Sequence, residues 1–331
     1  MTRFYYRGDR LKQLRAFCYT ARAKSMSRAA EQMFLSQPSV SLLIKALERA
    51  LNVTLFERHG PRIHLTADGK ALLEIASPLV EGLDMLPEAF GECRNNALTG
   101  ELHIAAGEST ILYILPKIMK RFTSAYPDIR VKLHNVTGRD GLTLLRANEV
   151  DFAVGSMLDV LDDIQYYPIF TYDPILITPK DHPLAKKSDV TLEDISPYGL
   201  ILPPRNLTTW QIVDLVFQQH HVDYTVTLEA GGWEVIKKYV ELGLGISIVT
   251  GICLTGTEKL SRIPLSQYFP KRTYGLVLRR GKFLSPAAKR FIDIMDPKLR
   301  ATLERDGNQP ALPSAGKSAT QRAGPRRQSV N

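Results

Sequence analysis

The side chains of this chain that are best suited to specific chemistry are short polar and basic residues between positions 36 and 62. Serine hydroxyls and glutamine amides hydrogen-bond to the edges of DNA bases, and lysine and arginine pair with phosphates. Each of these residues alone would also fit the solvated basic face of an ordinary helical bundle. The candidates for DNA contact are Ser36, Gln37, Pro38, Ser39, Ser41, Leu42, Lys45, Arg58 and Arg62.

Two helices are predicted to position these side chains. Ser27 is expected to cap the first helix, and Ser36 the second. Pro38 falls in the first turn of the second helix, where a proline loses no amide hydrogen bond. The apolar residues of this second helix recur at helical spacing and predict its buried side: Val40, Ile44, Leu47 and Leu51.

A hairpin is predicted to follow, because two short apolar stretches flank Gly60-Pro61. It would carry Arg58 and Arg62. A helix, a tight turn, a second helix and a basic hairpin form the layout of a winged helix-turn-helix, in which one helix enters the major groove of DNA. The sequence therefore predicts a DNA-binding domain over residues 9–66.

Charge is distributed unevenly along the chain. Residues 1–70 contain 13 Lys and Arg against 5 Asp and Glu, and residues 307–331 contain 4 against none. Because the formal net charge is +9, the middle of the chain is mildly acidic. A basic end domain favours contact with phosphates and predicts salt-dependent binding. Residues 301–331, rich in small residues and proline, are predicted to form a disordered basic tail.

Composition excludes several classes of protein. The 331 residues, 44% of them hydrophobic and 23% charged, fit a soluble protein of two or three domains. The sequence has no apolar run of about 18 residues and no signal-peptide pattern, so we expect a cytoplasmic protein without a membrane partner. Cys18, Cys93 and Cys253 lie far apart, so that no metal site, disulfide framework or bound cofactor is predicted.

Residues 67–97 are predicted to form a long helix that links the first domain to the body. Thr66 is a good cap for it, and Pro78 and Pro87 should kink or end it locally. A helix with so apolar a face needs a partner, either its own domain or a second subunit. The apolar positions are Leu72, Leu73, Leu79, Val80, Leu83, Leu86 and Phe90.

Alternating strand and helix patterns over residues 98–300 predict an α/β body with mostly parallel strands. We expect two lobes, lobe I from residues 98–171 and 272–300 and lobe II from residues 172–271. Two chain crossings between such lobes leave a cleft, and ligands bind these folds at the carboxyl ends of the strands.

Hydroxyl side chains at two predicted helix starts point to an anion site in this cleft. Ser109 and Thr110 follow a predicted strand, and Thr208 and Thr209 precede Trp210 at the start of a helix in lobe II. Free amides and the helix dipole attract anions at such positions. The alternative is that these hydroxyls only cap their helices.

Three ordered motifs resemble the LysR-type transcriptional regulators: residues 36–41 (SQPSVS), 55–58 (LFER) and 65–69 (LTADG). The resemblance implies a winged helix-turn-helix, a dimerising linker helix and a two-lobed effector region of the periplasmic-binding-protein type II kind. Further expected properties are a homotetramer, an activator role and contact with RNA polymerase. Leu42 departs from the basic residue frequent in the family and could contact a thymine methyl, but not guanine.

Within the family, the body is most similar to the cysteine-regulon (CysB-type) subgroup. The shared segments are residues 113–116, 181–185, 235–240, 242–245 and 278–280. The subgroup binds small anions or O-acetylserine-like molecules through hydroxyls, with which Ser109, Thr110 and Thr208 align. Gly107 and Arg139 replace two threonines of the subgroup. Arg139 would favour a carboxylate, whereas Glu108 would oppose an anion or pair with an ammonium group.

Two other functions fit an α/β body. A small-molecule enzyme would need a nucleophile and a base, and the sequence contains no G-x-S-x-G, H-E-x-x-H or P-loop pattern. A solute-binding protein for transport would need export, which the missing signal-peptide pattern and the basic first domain argue against. The sequence therefore favours a DNA-binding regulator whose promoter activity responds to a small metabolite of a sulfur-related, anionic or amino-acid-like kind.

Overall fold

A computed structural model describes residues 9–59, 62–95 and 99–307 of the chain. The predicted Gly60-Pro61 turn and residues 308–331 of the predicted tail lie outside the described residues. None of the helices in the described ranges is sufficiently long and apolar to cross a membrane.

The first domain contains three helices and a hairpin. In chain order they are α1 (Arg10–Ala23), α2 (Met26–Gln32), α3 (Gln37–Leu51), β1 (Phe56–His59) and β2 (Arg62–Leu65). The two strands pair antiparallel, with His59 opposite Arg62. Ser36 caps α3 as predicted, because its hydroxyl accepts a hydrogen bond from the Ser39 amide.

Two local predictions in this domain are wrong. Ser25, not Ser27, caps α2, since Ser25 has the extended backbone of a cap and its hydroxyl accepts from the Arg28 amide. Leu51 was expected in the core but is 40% exposed. It lies in the last turn of α3, directly before Asn52 reverses the chain in a left-handed conformation.

Two helices link this domain to the body. They are α4 (Ala67–Asp84), capped by Thr66 as predicted, and α5 (Leu86–Asn95). Pro78 does not end α4, which runs on for six residues. The break falls at Met85 instead, so that Pro87 becomes the second residue of α5, where proline is tolerated.

The body alternates strands and helices. Its first part contains β3 (Gly100–Ala106), a π-helix (Thr110–Ile114), α6 (Leu115–Ala125), β4 (Ile129–Asn135), α7 (Gly138–Ala147), β5 (Phe152–Gly155) and β6 (Ile164–Tyr172). The second part contains β7 (Pro174–Pro179), α8 (Leu192–Ile195), β8 (Gly199–Leu202), α9 (Thr208–Gln219), β9 (Thr225–Glu229), α10 (Trp233–Glu241), β10 (Ser247–Thr250) and β11 (Leu260–Pro264). The chain then returns through β12 (Arg272–Arg279), α11 (Pro286–Met295) and α12 (Pro297–Gly307).

The strands form two lobes with mixed strand directions. Lobe I has a five-stranded sheet of order β4-β3-β5-β12-β6, and lobe II has the β10-β7-β11 sheet and the β8-β9 pair. β3 is parallel to β4 and β5, but β12 is antiparallel to β5 and β6, and β7 is antiparallel to both neighbours. The prediction of mostly parallel strands is therefore wrong. Parallel neighbours need a helical crossover, and β12, which arrives from the other lobe, has none.

The end of the body also differs from prediction. Residues 301–307 were assigned to a disordered tail, but they belong to α12. This helix is held by Leu299, which is buried, and by Leu303, which packs on the core of lobe I. Burial of these two leucines gives the segment the apolar contacts that a disordered tail lacks.

Candidate DNA interface and effector cleft

The first turn of α3 presents the predicted base-reading residues at the surface. Ser36, Gln37 and Pro38 are exposed, whereas Ser39 and Ser41 are half-buried. The Ser36 and Ser39 hydroxyls lie 2.8 Å apart and hydrogen-bond to one another. Gln37 has only a weak contact, 3.7 Å from its amide nitrogen to the Met26 sulfur. Its amide is therefore the group in this turn that is most available to a base edge.

Further along α3, Leu42 and Lys45 are also exposed. Leu42 offers an apolar surface, and Lys45 offers an ammonium group within reach of a phosphate. The opposite side of the helix is fixed, because Val40, Ile44 and Leu47 are buried in the cores of the domain. This packing leaves α3 one orientation, with its polar side outward.

The β1–β2 hairpin, which forms the wing, is anchored to the helices through backbone contacts at its two ends. Glu48 accepts a hydrogen bond from the Leu55 amide at 2.8 Å, and the Thr66 hydroxyl donates to the Thr54 carbonyl oxygen at 2.7 Å. A Cβ atom at Gly69 would lie 2.2 Å from the Leu55 carbonyl oxygen, so only glycine fits there. These contacts account for the threonine and the glycine of the LTADG motif. Arg58 and Arg62 lie on β1 and β2, and their side chains lie outside the part of the chain that the structure describes.

The lobe I side of the cleft begins directly after β3. The Gly107 carbonyl oxygen accepts from the Thr110 and Ile111 amides at 3.0 and 3.1 Å and so starts the π-helix. π-helices are rare and often occur at functional sites. Ser109 is half-buried, and its hydroxyl caps no amide. Thr110 is only 1% exposed, so its side chain is enclosed by the protein and does not line an open surface.

A guanidinium group connects the two lobes. Arg272 Nη2 donates to the Thr208 hydroxyl in lobe II at 2.8 Å and to the Ser156 hydroxyl in lobe I at 2.5 Å. No carboxylate pairs with Arg272 within the described ranges. Thr208 begins α9, whose preceding residue, Leu207, has no side chain that could cap the helix. The Arg272 guanidinium and the free amides at the start of α9 are thus two hydrogen-bond donors close to Thr208, and no carboxylate of the described residues pairs with the guanidinium.

Thr209 and Arg272 line a shallow pocket beside this point. The pocket has a volume of about 20 Å³, about the size of one water molecule, and most of its wall is apolar. The apolar part comes from α9, β10 and the crossing segment before β12: Ile212, Val213, Ile248, Val249, Phe269 and Pro270. Such a site has room for one oxygen atom of an anion beside an apolar wall.

A second connection between the lobes involves Tyr113, whose hydroxyl donates to Glu234 in α10. Glu234 pairs with Lys237 at 2.8 Å, and Lys237 pairs with Glu258 at 3.1 Å. Burial and the Glu234 carboxylate raise the pKa of Tyr113, which keeps its hydroxyl protonated as a donor. Tyr113 and Lys237 lie in two of the segments shared with the CysB-type subgroup, whereas Glu234 and Glu258 lie outside them, and no role is predicted for any of the four from the sequence.

Two charged candidates take different positions. Glu108 is exposed, yet its carboxylate approaches lobe II, since a Cβ atom at Gly232 would lie 3.1 Å from Glu108 Oε1. Arg139 is exposed in the first turn of α7, and its side chain forms no hydrogen bond or ion pair with any residue that the structure describes. The cation between the lobes is therefore Arg272, which the sequence did not single out.

Comparison with known proteins adds family information to this geometry. Residues 11–70 match the family model described as "Bacterial regulatory helix-turn-helix protein, lysR family", and residues 95–300 match "LysR substrate binding domain". Both matches agree with the resemblance drawn from the three motifs. They also agree with the predicted fold, a winged helix-turn-helix joined to a two-lobed α/β region.

Individual relatives cover most of the chain. The HTH-type transcriptional regulator CysB of Haemophilus influenzae is 28% identical over 288 residues, which span 85% of this chain and 88% of that protein. The RuBisCO operon transcriptional regulator of Allochromatium vinosum is 30% identical over 285 residues, 85% of this chain and 93% of that protein. The crystal structure of the cofactor-binding domain of the Cbl transcriptional regulator matches with a TM-score of 0.58 and 30% identity, over 62% of this chain and 92% of that chain.

Proposed function

This chain belongs to the LysR family of bacterial transcriptional regulators, and from that premise we propose that a small anionic metabolite controls its binding to promoter DNA. Residues 9–66 bind an imperfect inverted repeat in duplex DNA. The metabolite lies between the two lobes of residues 98–300. The observation that carries the proposal is the position of Arg272, a guanidinium that joins both lobes through hydroxyl groups and has no carboxylate partner among the described residues.

In the DNA complex, the outward side of α3 enters the major groove. Gln37 reads a base edge, Leu42 contacts a thymine methyl, and Lys45 pairs with a phosphate. Ser36, Pro38, Ser39 and Ser41 shape the first turn, and Arg58 and Arg62 bring the wing to the backbone. The available amide of Gln37 and the exposure of Leu42 and Lys45 support these roles.

In the cleft, the anionic group binds Arg272, the Thr208 hydroxyl and the amides at the start of α9. Ser109 adds a hydroxyl from lobe I, and Gly107, which has no side chain, leaves room for the metabolite. Thr209 lines the pocket. Glu108 pairs with an ammonium group, so that an amino-acid-like anion suits the site. Thr110 and Arg139 do not hold the anionic group directly. Thr110 is enclosed by the protein, and Arg139 lies exposed on α7. Similarity to CysB and Cbl favours a sulfur-related metabolite.

Self-association completes the DNA-binding unit. One side of the linker helices is unpaired within the described residues and carries large apolar side chains: Ile75, Leu79, Leu83, Leu86 and Phe90. Two copies of this side pack together in a dimer, and two-fold symmetry then presents two α3 helices to two half-sites. Dimers pair further into a tetramer. The protein acts in the cytoplasm as an activator that contacts RNA polymerase, and it has no catalytic activity of its own.

Ligand binding alters promoter activity only if one arrangement of subunits binds the ligand better than the other. The test is selection of duplexes from a random pool by the full-length protein, followed by titration of the enriched duplex with sulfate, thiosulfate, acetylserine and simple amino acids. We expect an enriched inverted repeat whose affinity or bending changes with one of these compounds. Equal binding to enriched and random duplexes would contradict DNA recognition.

A further inference from the structure

Phe34, in the turn of the helix-turn-helix, is an apolar side chain that belongs to no core cluster of the described residues. Its ring is 96% exposed, more than any other large apolar side chain that the structure describes. Single exposed apolar residues are common on protein surfaces and need no explanation by themselves. Phe34 differs because its backbone conformation is also unfavourable for a side chain of its kind.

The backbone at Phe34 is left-handed, with a φ of +54°. The Phe34 amide donates to the Glu31 carbonyl oxygen at 3.1 Å, and the Leu35 amide donates to the Ala30 carbonyl oxygen at 2.9 Å. These two bonds form the Schellman motif that ends α2, and glycine usually occupies the left-handed position. A phenylalanine is strained there, whereas a glycine is not. Folding alone therefore favours glycine at this position.

The turn holds Phe34 beside the helix that is proposed to enter the major groove. Phe34 lies two residues before Ser36, which caps α3, and three before Gln37. Ala29 and Ala30 are buried, so the end of α2 is fixed and the ring has little backbone freedom to lose on binding. The turn lies between two helices that each expose a cation, since Arg28 is exposed on α2 and Lys45 on α3.

We propose that Phe34 contacts duplex DNA, with its ring packed against apolar groups of the double helix next to the base read by Gln37. Those groups are thymine methyls or deoxyribose carbons. DNA offers such groups within a framework of negative phosphates, which complements an apolar ring on a basic domain. The inference rests on the DNA binding proposed above and assigns part of that binding to a residue outside α3.

Glycine and asparagine variants separate DNA contact from folding. In Phe34→Gly and Phe34→Asn, the left-handed backbone is tolerated, so the melting temperature of the full-length protein stays equal or rises. Affinity for the enriched duplex, measured by fluorescence anisotropy, falls about tenfold in both variants, a change of about 1.4 kcal/mol. Phe34→Tyr keeps the ring and stays close to the unmodified protein. Leu158→Ala, which removes an exposed leucine from the body, serves as control and leaves affinity unchanged.

Replacing single thymines of the duplex by deoxyuridine identifies the group that is contacted. If deoxyuridine at one position weakens binding of the unmodified protein, and Phe34→Gly loses no further affinity on that duplex, the ring contacts the methyl group of that thymine. If Phe34→Gly binds the duplex more weakly but no single deoxyuridine replacement changes affinity, the ring contacts deoxyribose carbons. Unchanged affinity in Phe34→Gly, while Gln37→Ala binds more weakly, overturns the inference and leaves DNA binding intact. Failure to enrich any duplex counts against the proposed function instead.

Discussion

Glu81 of the linker helix and Arg279 of the effector region form a buried ion pair. Arg22 of α1 donates to the same carboxylate oxygen, so that Glu81 joins the DNA-binding domain, the linker and lobe I. The other oxygen accepts from the Phe283 amide at 3.1 Å. The side chain of Glu81 is 5% exposed. Removal of one partner from such a cluster leaves buried charges uncompensated.

We expect Glu81→Ala to lower the free energy of unfolding by about 3–5 kcal/mol, because Arg22 and Arg279 lose their shared anion. Urea denaturation followed by circular dichroism measures the change. Glu74→Ala is the matched control, since Glu74 lies exposed on the same helix and should cost less than about 0.5 kcal/mol. Equal losses in the two variants would mean that the shared ion pair does not stabilise the junction.

Replacement of Lys45 should weaken DNA binding without changing sequence preference. Lys45→Ala removes one proposed phosphate contact, so the slope of log K against log salt concentration falls by about one. Anisotropy titrations from low to moderate salt measure this slope for enriched and random duplexes. Lys120→Ala removes an exposed lysine from α6 in the body and should leave the slope unchanged. A loss confined to the enriched duplex would instead indicate that Lys45 reads bases.

The cleft arginine can be distinguished from the surface arginine by direct comparison. Arg272→Gln should weaken binding of an anionic effector about tenfold to a hundredfold, because hydrogen bonds to charged groups contribute about 1.5–3 kcal/mol. Thr208→Ala should weaken it less, and both variants should still bind DNA. Calorimetric titration with the anion identified by thermal shift measures the dissociation constants. A loss in Arg139→Gln, with Arg272→Gln unaffected, would move the anion site to α7.

The Glu258 cluster predicts a pH-dependent stability. Burial opposes ionisation of Glu258, but hydrogen bonds from the Thr255 and Gly256 amides and from Lys237 outweigh it and hold its pKa well below the ordinary value of 4.5. A carboxyl with a lowered pKa stabilises the fold above its unfolded pKa, and this contribution is lost as pH falls toward the folded pKa. Glu258→Gln should therefore cost about 3 kcal/mol at pH 7 and progressively less below pH of about 4.5.

Urea denaturation at several pH values between about 3 and 7 checks this pH dependence. Glu229→Gln provides the comparison, because Glu229 is exposed in the same lobe and should show no such trend. A Glu258→Gln penalty that stays constant across this range would show that its charge is not what stabilises the loop.

Local signals made much of the fold predictable. Caps such as Ser36 and Thr66 act on amides within their own turn, so the sequence is sufficient to identify them. Strand β6 contains Pro168, a residue type that argues against a strand when the sequence is taken alone. The structure accommodates Pro168 on the edge strand, where the pairing with β12 shifts register at Gly275. Strand direction was wrong because periodicity reports which residues are buried, not which way a strand runs.

The same holds for the candidate sites: residues close together in the sequence could be grouped in advance, and residues far apart in it could not. Gln37 and Lys45 belong to one helix, so their spacing alone predicts a common exposed side. Arg272 lies 64 residues from Thr208 and 116 from Ser156, and only the folded chain brings them together. Arg272 lies in none of the motifs named above, whereas Arg139 is a position at which the chain departs from the CysB-type subgroup. Distances of this kind depend on how the two lobes close, which no local pattern encodes.

The tight contact between Gly69 and the Leu55 backbone joins the wing to α4, so that a tilt of this helix moves the wing. This helix has 18 residues, so it is a rod about 27 Å long, with the wing fixed near one end and Glu81 in the last turn at the other. Gly69 lies 12 residues from Glu81, about 18 Å along the helix, so a rotation of about 10° at Glu81 would displace the wing by about 3 Å. Small movements of the lobes are thereby magnified into shifts that matter on the scale of a DNA groove about 12 Å wide.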